Sequence, residues 1–202
     1  MTPLTSKQWE SERIMANIYS RLDKVIDKIK EDKFIDGRGL GNEISFYVFD
    51  YEPSDELIVR DRINDFKKEF SYEGSNRKII EFDLYKMLLE IAKEKRIFDR
   101  VFQVEEKQGK EALFKAMTTF AKPEIFLSKI KEQLGGHNVV FLTGVGKVYP
   151  FVRSHNILNN LQEVIDKIPV IMFFPGKYDG QSLQLFGKFK DDNYYRAFRL
   201  VE

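Results

Sequence analysis

An α/β fold, with a mostly parallel central sheet between two layers of helices, is what this sequence predicts. Three observations predict it. Short apolar runs recur along the chain and are separated by stretches with the helical 3.6-residue apolar period. The runs are nearly continuous in apolar character, as befits strands buried on both faces. The tail, residues 170–200, then packs a strand, a Pro-Gly pair, an Asp-Gly pair and many aromatic and amide side chains into a short space. That punctuation predicts a C-terminal antiparallel hairpin and hence a mixed sheet.

The elements follow in order. A first helix is expected over 6–30, where Ile14, Ile18, Leu22, Val25 and Ile29 form one stripe and Thr5 with Gln8 fits a capping box. It precedes the first strand and so reads as an added element packed on the sheet. Glycines make residues 36–41 a loop. Residues 44–49 read as a buried strand ending in Asp50-Tyr51-Glu52-Pro53-Ser54, with Ser54 placed to cap the next helix. That helix turns Val59, Ile63, Phe66 and Phe70 to one face. A second strand is expected over 78–82, followed by a helix capped by Asp83 that faces Leu84, Met87, Leu88 and Ile91 inward.

The middle is helical. Phe98, Val101 and Phe102 make one short stripe, and Leu113, Phe114, Met117 and Phe120 another. Pro123 suits the first turn of a helix bearing Phe126, Ile130 and Leu134, which Gly135-Gly136 ends. Strands at 139–142 and 170–174 flank a helix over 154–167 that uses Leu158, Leu161 and Ile165. The last hairpin is expected between 183–189 and 194–201, turning at Lys190-Asp191-Asp192-Asn193.

A length of 202 residues suits one domain. Residues 1–42 supply the added helix and glycine loop, and 43–202 the sheet core and hairpin. With 33 basic and 32 acidic residues the net charge is +1, so the whole chain carries no electrostatic footprint for nucleic acid. Direct nucleic-acid binding is not expected. There is no cysteine, which excludes disulfides, thiol catalysis and Cys-based zinc sites and fits a cytoplasmic protein. The polar start of the chain lacks a signal-peptide core, and no window is apolar enough to span a membrane. The 18 phenylalanines and 9 tyrosines suffice for a core and for a contact surface besides.

Four places invite chemistry. Thr143-Gly144-Val145-Gly146-Lys147 resembles a phosphate loop, but Phe141 stands where the motif needs glycine and Val148 where it needs Ser or Thr. A glycine turn after a strand is favoured there. The acids after the first strand would repel phosphate. They could hold a metal, against the simpler reading of a solvated turn that opens a helix. His137 follows two glycines and should face solvent. Arg153, His155 and Asn156 open a helix beyond the third strand, where ligands of open α/β sheets bind. No G-x-S-x-G elbow and only two histidines leave hydrolase and His-metal chemistry unsupported. Pro175, Lys177 and Tyr178 after the fourth strand, with Asn193, Tyr194, Tyr195 and Arg196 in the hairpin, read equally as a recognition surface or as turn and packing residues. Arg38, Lys147, Arg153, Lys177 and Arg196 are the cations that could converge.

Runs Arg153-Ser154-His155-Asn156-Ile157-Leu158, Phe174-Pro175-Gly176-Lys177-Tyr178-Asp179-Gly180 and Asn193-Tyr194-Tyr195-Arg196-Ala197-Phe198, with Phe46 to Glu52, resemble the BrxB family, the small subunit of BREX bacteriophage-exclusion systems. The resemblance covers nearly the whole chain. It implies a subunit of a defence system that marks host DNA by adenine methylation and blocks unmodified phage. No catalytic residue, cofactor or metal is implied. The implied role is a non-enzymatic adaptor, with the alkaline-phosphatase-like protein PglZ as partner. The alternation of elements is also similar to a nucleotide-binding fold without its phosphate loop. The alternative function is therefore a nucleotide- or phosphate-binding regulatory domain near Arg153 and Lys147.

Overall fold

The computed structural model describes residues 6–35, 45–165, 167–191 and 197–202, with side chains from residue 17 onward in the first segment. Helices α1 (Ser6–Lys30) and α2 (Asp32–Ile35) precede strand β1 (Phe46–Tyr51). A 3-10 turn (Pro53–Asp55) leads into α3 (Glu56–Glu69), and β2 (Ile79–Asp83) follows. Then come α4 (Leu84–Glu94), α5 (Phe98–Phe120), α6 (Pro123–Gln133), β3 (Val139–Thr143), α7 (Val145–Val148) and α8 (Ser154–Leu161). The chain closes with β4 (Val170–Tyr178), β5 (Leu183–Leu185), β6 (Phe189–Asp191) and β7 (Phe198–Arg199).

The sheet runs in the order β2-β3-β4-β1-β7, and all of these neighbours are parallel. Travel from β1 to β2 uses α3 on one face. The return through β3 to β4 uses α4, α5, α6 and α8 on the other, as a constant crossover hand requires. Alternate residues of each strand feed two cores. Phe46, Val48, Val140, Leu142, Val170 and Met172 pack under α4–α8. Phe49, Phe141, Ile171 and Phe173 pack under α1 and α3. This is the mixed α/β fold expected, with a mostly parallel sheet and antiparallel C-terminal strands.

Local chemistry accounts for the element ends. Asp83 accepts hydrogen bonds from Tyr85 N and Lys86 N at 3.0 and 3.1 Å, so it caps α4 as read from the sequence. Pro123 opens α6. One departure has a local cause. Asp55 rather than Ser54 precedes α3, because the proline-led 3-10 turn consumes the first residues. The two central stripes lie, as read, on the two halves of α5, which is broken at Gly109 (φ +84°). Helix α8 stops at Leu161, short of the expected 167.

The tail departs most. Strand β4 does not stop at Phe174. It runs through Pro175 and Gly176 to Tyr178, because pairing with β1 ends at Pro175 and antiparallel pairing with β5 begins at Gly176. Proline is tolerated where the ladder changes partner. The antiparallel hairpin is β5–β6, with Phe186, Gly187 and Lys188 as its turn in place of 190–193. Strand β7 lies on the far edge, parallel to β1. Thr5 and the 36–41 glycine loop lie outside the described residues, and the side chains of Gln8 and Ile14 outside the described side chains, so the capping box and the start of the stripe are not described.

Candidate functional site at the carboxyl edge of the sheet

The carboxyl ends of β1, β2, β3 and the parallel part of β4 lie along one edge. The extension of β4 and its hairpin divide that edge into two clefts. One, about 530 Å³, lies against β1, β7 and α1 and is lined by Arg21, Asp50, Glu52, Lys177, Asp179 and Arg199 among others. The other, about 340 Å³, lies between α7, α8 and the β5–β6 hairpin.

Asp50 organises the first cleft. It is a buried carboxylate inside an apolar strand, and such a group persists only when its charge is compensated. Arg21 of α1 donates to its Oδ1 at 2.9 Å, and the Tyr178 amide donates to its Oδ2 at 3.0 Å. Arg199 lies 3.8 Å from Oδ2 and donates to the Tyr178 carbonyl. One acid thereby ties α1, β1, β4 and β7 together. Beside it the Tyr51 hydroxyl donates to Glu56 at 2.6 Å, and burial followed by the Glu56 charge pushes its pKa up. Burial, and then Glu52, also raise the Asp55 carboxyl. Among the described residues no group of three or more acids and histidines is placed to hold a metal ion.

The glycine loop after β3 has a structural use. Lys147 donates to Asp83 Oδ2 at 2.6 Å, so the lysine that a phosphate would need is spent on the acid that caps α4. Gly144 sits at φ +71°, and a Cβ there would lie 2.2 Å from Asp83 Oδ1. At Gly146 a Cβ would meet the Phe186 ring and Pro175, both at 2.9 Å. Both glycines let neighbouring elements approach, and neither faces an open phosphate cradle.

The expected contact residues divide. Pro175 and Tyr178 are buried; Tyr178 is 1% exposed and its hydroxyl donates to Ala197 O at 2.7 Å. Both take part in the strand ladder, Tyr178 through β5 and Pro175 through β1, which fits the packing reading of these two residues. Lys177 is exposed in the first cleft and Arg153 in the second. His155 and Asn156 are half-buried in the first turn of α8, where Asn156 O accepts from Asn160. His137, expected in solvent, is half-buried with Nδ1 2.8 Å from Leu134 O. The described cations of the expected cluster do not converge: Lys147, Arg153 and Lys177 face three different surroundings. Arg38, Asn193, Tyr194, Tyr195 and Arg196 lie outside the described residues. Sequence reasoning missed Arg21 and Arg199, although an aspartate inside the run Phe46-Tyr47-Val48-Phe49-Asp50-Tyr51 was a signal that some cation must reach it.

The family model "BREX protein BrxB" matches residues 80–200, which include β2–β4, the hairpin and β7. A curated "BREX protein BrxB" of Bacillus cereus (strain H3081.97) is 44% identical over 192 residues, covering 93% of this chain and 100% of the relative. Another of that description, from Escherichia coli O9:H4 (strain HS), is 36% identical over 184 residues, 90% of each chain. No solved structure matches.

Proposed function

The chain belongs to the BrxB family of BREX proteins, and we propose that it is the non-enzymatic adaptor of its BREX system, one cytoplasmic α/β domain that binds PglZ. In this reading it is needed for phage exclusion and for host DNA methylation, and it does neither chemistry itself. The observation that carries the reading is the use made of the sheet's carboxyl edge. In open α/β enzymes that edge holds the reacting groups. Here Asp50 is tied to Arg21, Arg199 and the Tyr178 amide, and Lys147 is tied to Asp83. These charges support a scaffold. The degenerate-phosphate-loop alternative loses its lysine to the same ion pair.

Size-exclusion chromatography with light scattering tests the proposal, on this chain alone and mixed with PglZ of its own system. A stoichiometric shared peak is expected. Tyr195→Ala and Lys177→Ala are expected to weaken it while the circular dichroism stays that of the parent. Two separate peaks at tens of micromolar would remove the adaptor reading.

A further inference from the structure

Helix α5 meets the rest of the protein along a narrow line. Of its 23 residues only Met117 is buried, while Val101, Leu113 and Phe120 pack half-buried on the first core. Two phenylalanines stand outside that line: Phe102 is 58% and Phe114 45% exposed. Each follows a residue that packs on the core, Val101 or Leu113, so the two rings take the same flank of the helix on either side of the break at Gly109. Phe98 braces Phe102 edge-on with ring centroids 5.3 Å apart, and Phe151 lies 6.2 Å from Phe114. Rings already held in place lose little freedom when a partner covers them. Their surroundings differ in charge. At helical spacing Phe102 has Asp99, Glu105 and Glu106, and Phe114 has Lys110 and Glu111 with Lys115 next to it, all of them exposed. Residues 98–108 carry three acids and two bases, and residues 110–120 two bases and one acid, so the sign of the helix reverses at Gly109.

We infer that this face of α5 pairs with the same face of a second copy of the chain, the two helices antiparallel about a two-fold axis at Gln108 and Gly109. A two-fold pair needs a self-complementary surface. A face that is net acidic on one side of its centre and net basic on the other, with an exposed ring in each half, is self-complementary when antiparallel and self-repelling when parallel. About Gln108, Phe102 of one copy lies opposite Phe114 of the other, and Glu106 opposite Lys110, each pair occurring twice. Gly109 has no side chain, so the two backbones can come close at the axis. The inference does not rest on the adaptor reading, since it concerns the chain alone.

The experiment is sedimentation velocity on the full chain at concentrations from about 1 to about 200 micromolar, where a monomer–dimer equilibrium is expected. Phe102→Asp is expected to raise the dissociation constant at least about thirtyfold, because it puts a carboxylate opposite Phe114. Glu106→Lys and Lys110→Glu are each expected to raise it about tenfold, and the double variant E106K/K110E to return it toward the parent value, because the swap restores opposite charges across the axis. All three side chains are exposed, and circular dichroism checks that each variant folds. The chain has no cysteine, so Gln108→Cys places a single thiol beside the axis. On oxidation it is expected to give a disulfide-linked dimer, and Lys131→Cys on α6 is not. A chain that stays monomeric across the range, a dimer that Phe102→Asp leaves intact, or a double variant no better than the single ones would each overturn the proposal. A monomer whose shared peak with PglZ is lost in Phe102→Asp would also overturn it and would give this face to that partner.

Discussion

Arg77 is 5% exposed and lies far in sequence from everything it holds. Its Nε donates to Ile29 O at 2.7 Å, and its Nη2 donates to Lys30 O at 2.8 Å and to Asp32 at 2.7 Å. These carbonyls end α1 and have no partners within the helix, so one guanidinium closes the helix and docks it to the segment before β2. Arg77→Ala is expected to destabilise the protein by about 2–3 kcal/mol, because it leaves two carbonyls unsatisfied. Arg77→Lys should recover less than half of that in denaturant titrations, since an ammonium cannot reproduce the fork. Asp179 makes a residue-scale prediction of a different kind. The Ser182 amide, then the Ser182 hydroxyl and the Gln181 amide, hydrogen-bond its carboxylate and lower its pKa to about 2. A carboxyl depressed in the folded state contributes stability above its ordinary value near 3.8, and that contribution is lost as pH falls toward 2. A carbon-13 NMR titration of Asp179 is expected to show the low midpoint, and Ser182→Ala should move it upward.

At the scale of elements, α1 is held by its stripe more than by its intrinsic propensity. Ile18, Leu22, Val25 and Ile29 are at most 3% exposed against the second core, as their spacing implies. Leu22→Ala is expected to cost about 2–5 kcal/mol, the usual range for a truncated core leucine, and to lower the thermal midpoint. The same stripe logic gave the inward faces of α3 and α4, with Phe70 falling at the C-cap of α3 and Ala92 added to α4. In α5 the two apolar stripes fall on either side of the break at Gly109. The Pro-Gly pair in β4 misled. Local chemistry says turn, but a change of pairing partner from β1 to β5 lets the strand continue.

For the whole molecule, the sheet is the shared wall of two cores, so damage on either face reaches the other through the same strands. Leu22→Ala under α1 and Ile130→Ala under α6 are therefore expected to shift one cooperative transition rather than to split it into two. The clefts follow from the same architecture. Strand β4 projects beyond its parallel neighbours, its hairpin folds back over α7, and the carboxyl edge is partitioned into two clefts.

The α/β class, the helical faces, the Asp83 cap and the family resemblance were all determined by the sequence alone. Each rests on residues close together in the chain, or on a pattern of residue types. The tertiary structure alone decided what distant residues do to one another. It showed that Lys147 neutralises Asp83, that Arg21 and Arg199 neutralise Asp50, and that Tyr178 is buried. It also placed β7 beside β1 and brought Arg153 to the hairpin lysines. Periodicity reports which face of an element avoids water. Which charge meets which depends on the order of the strands, and the local sequence does not encode that order.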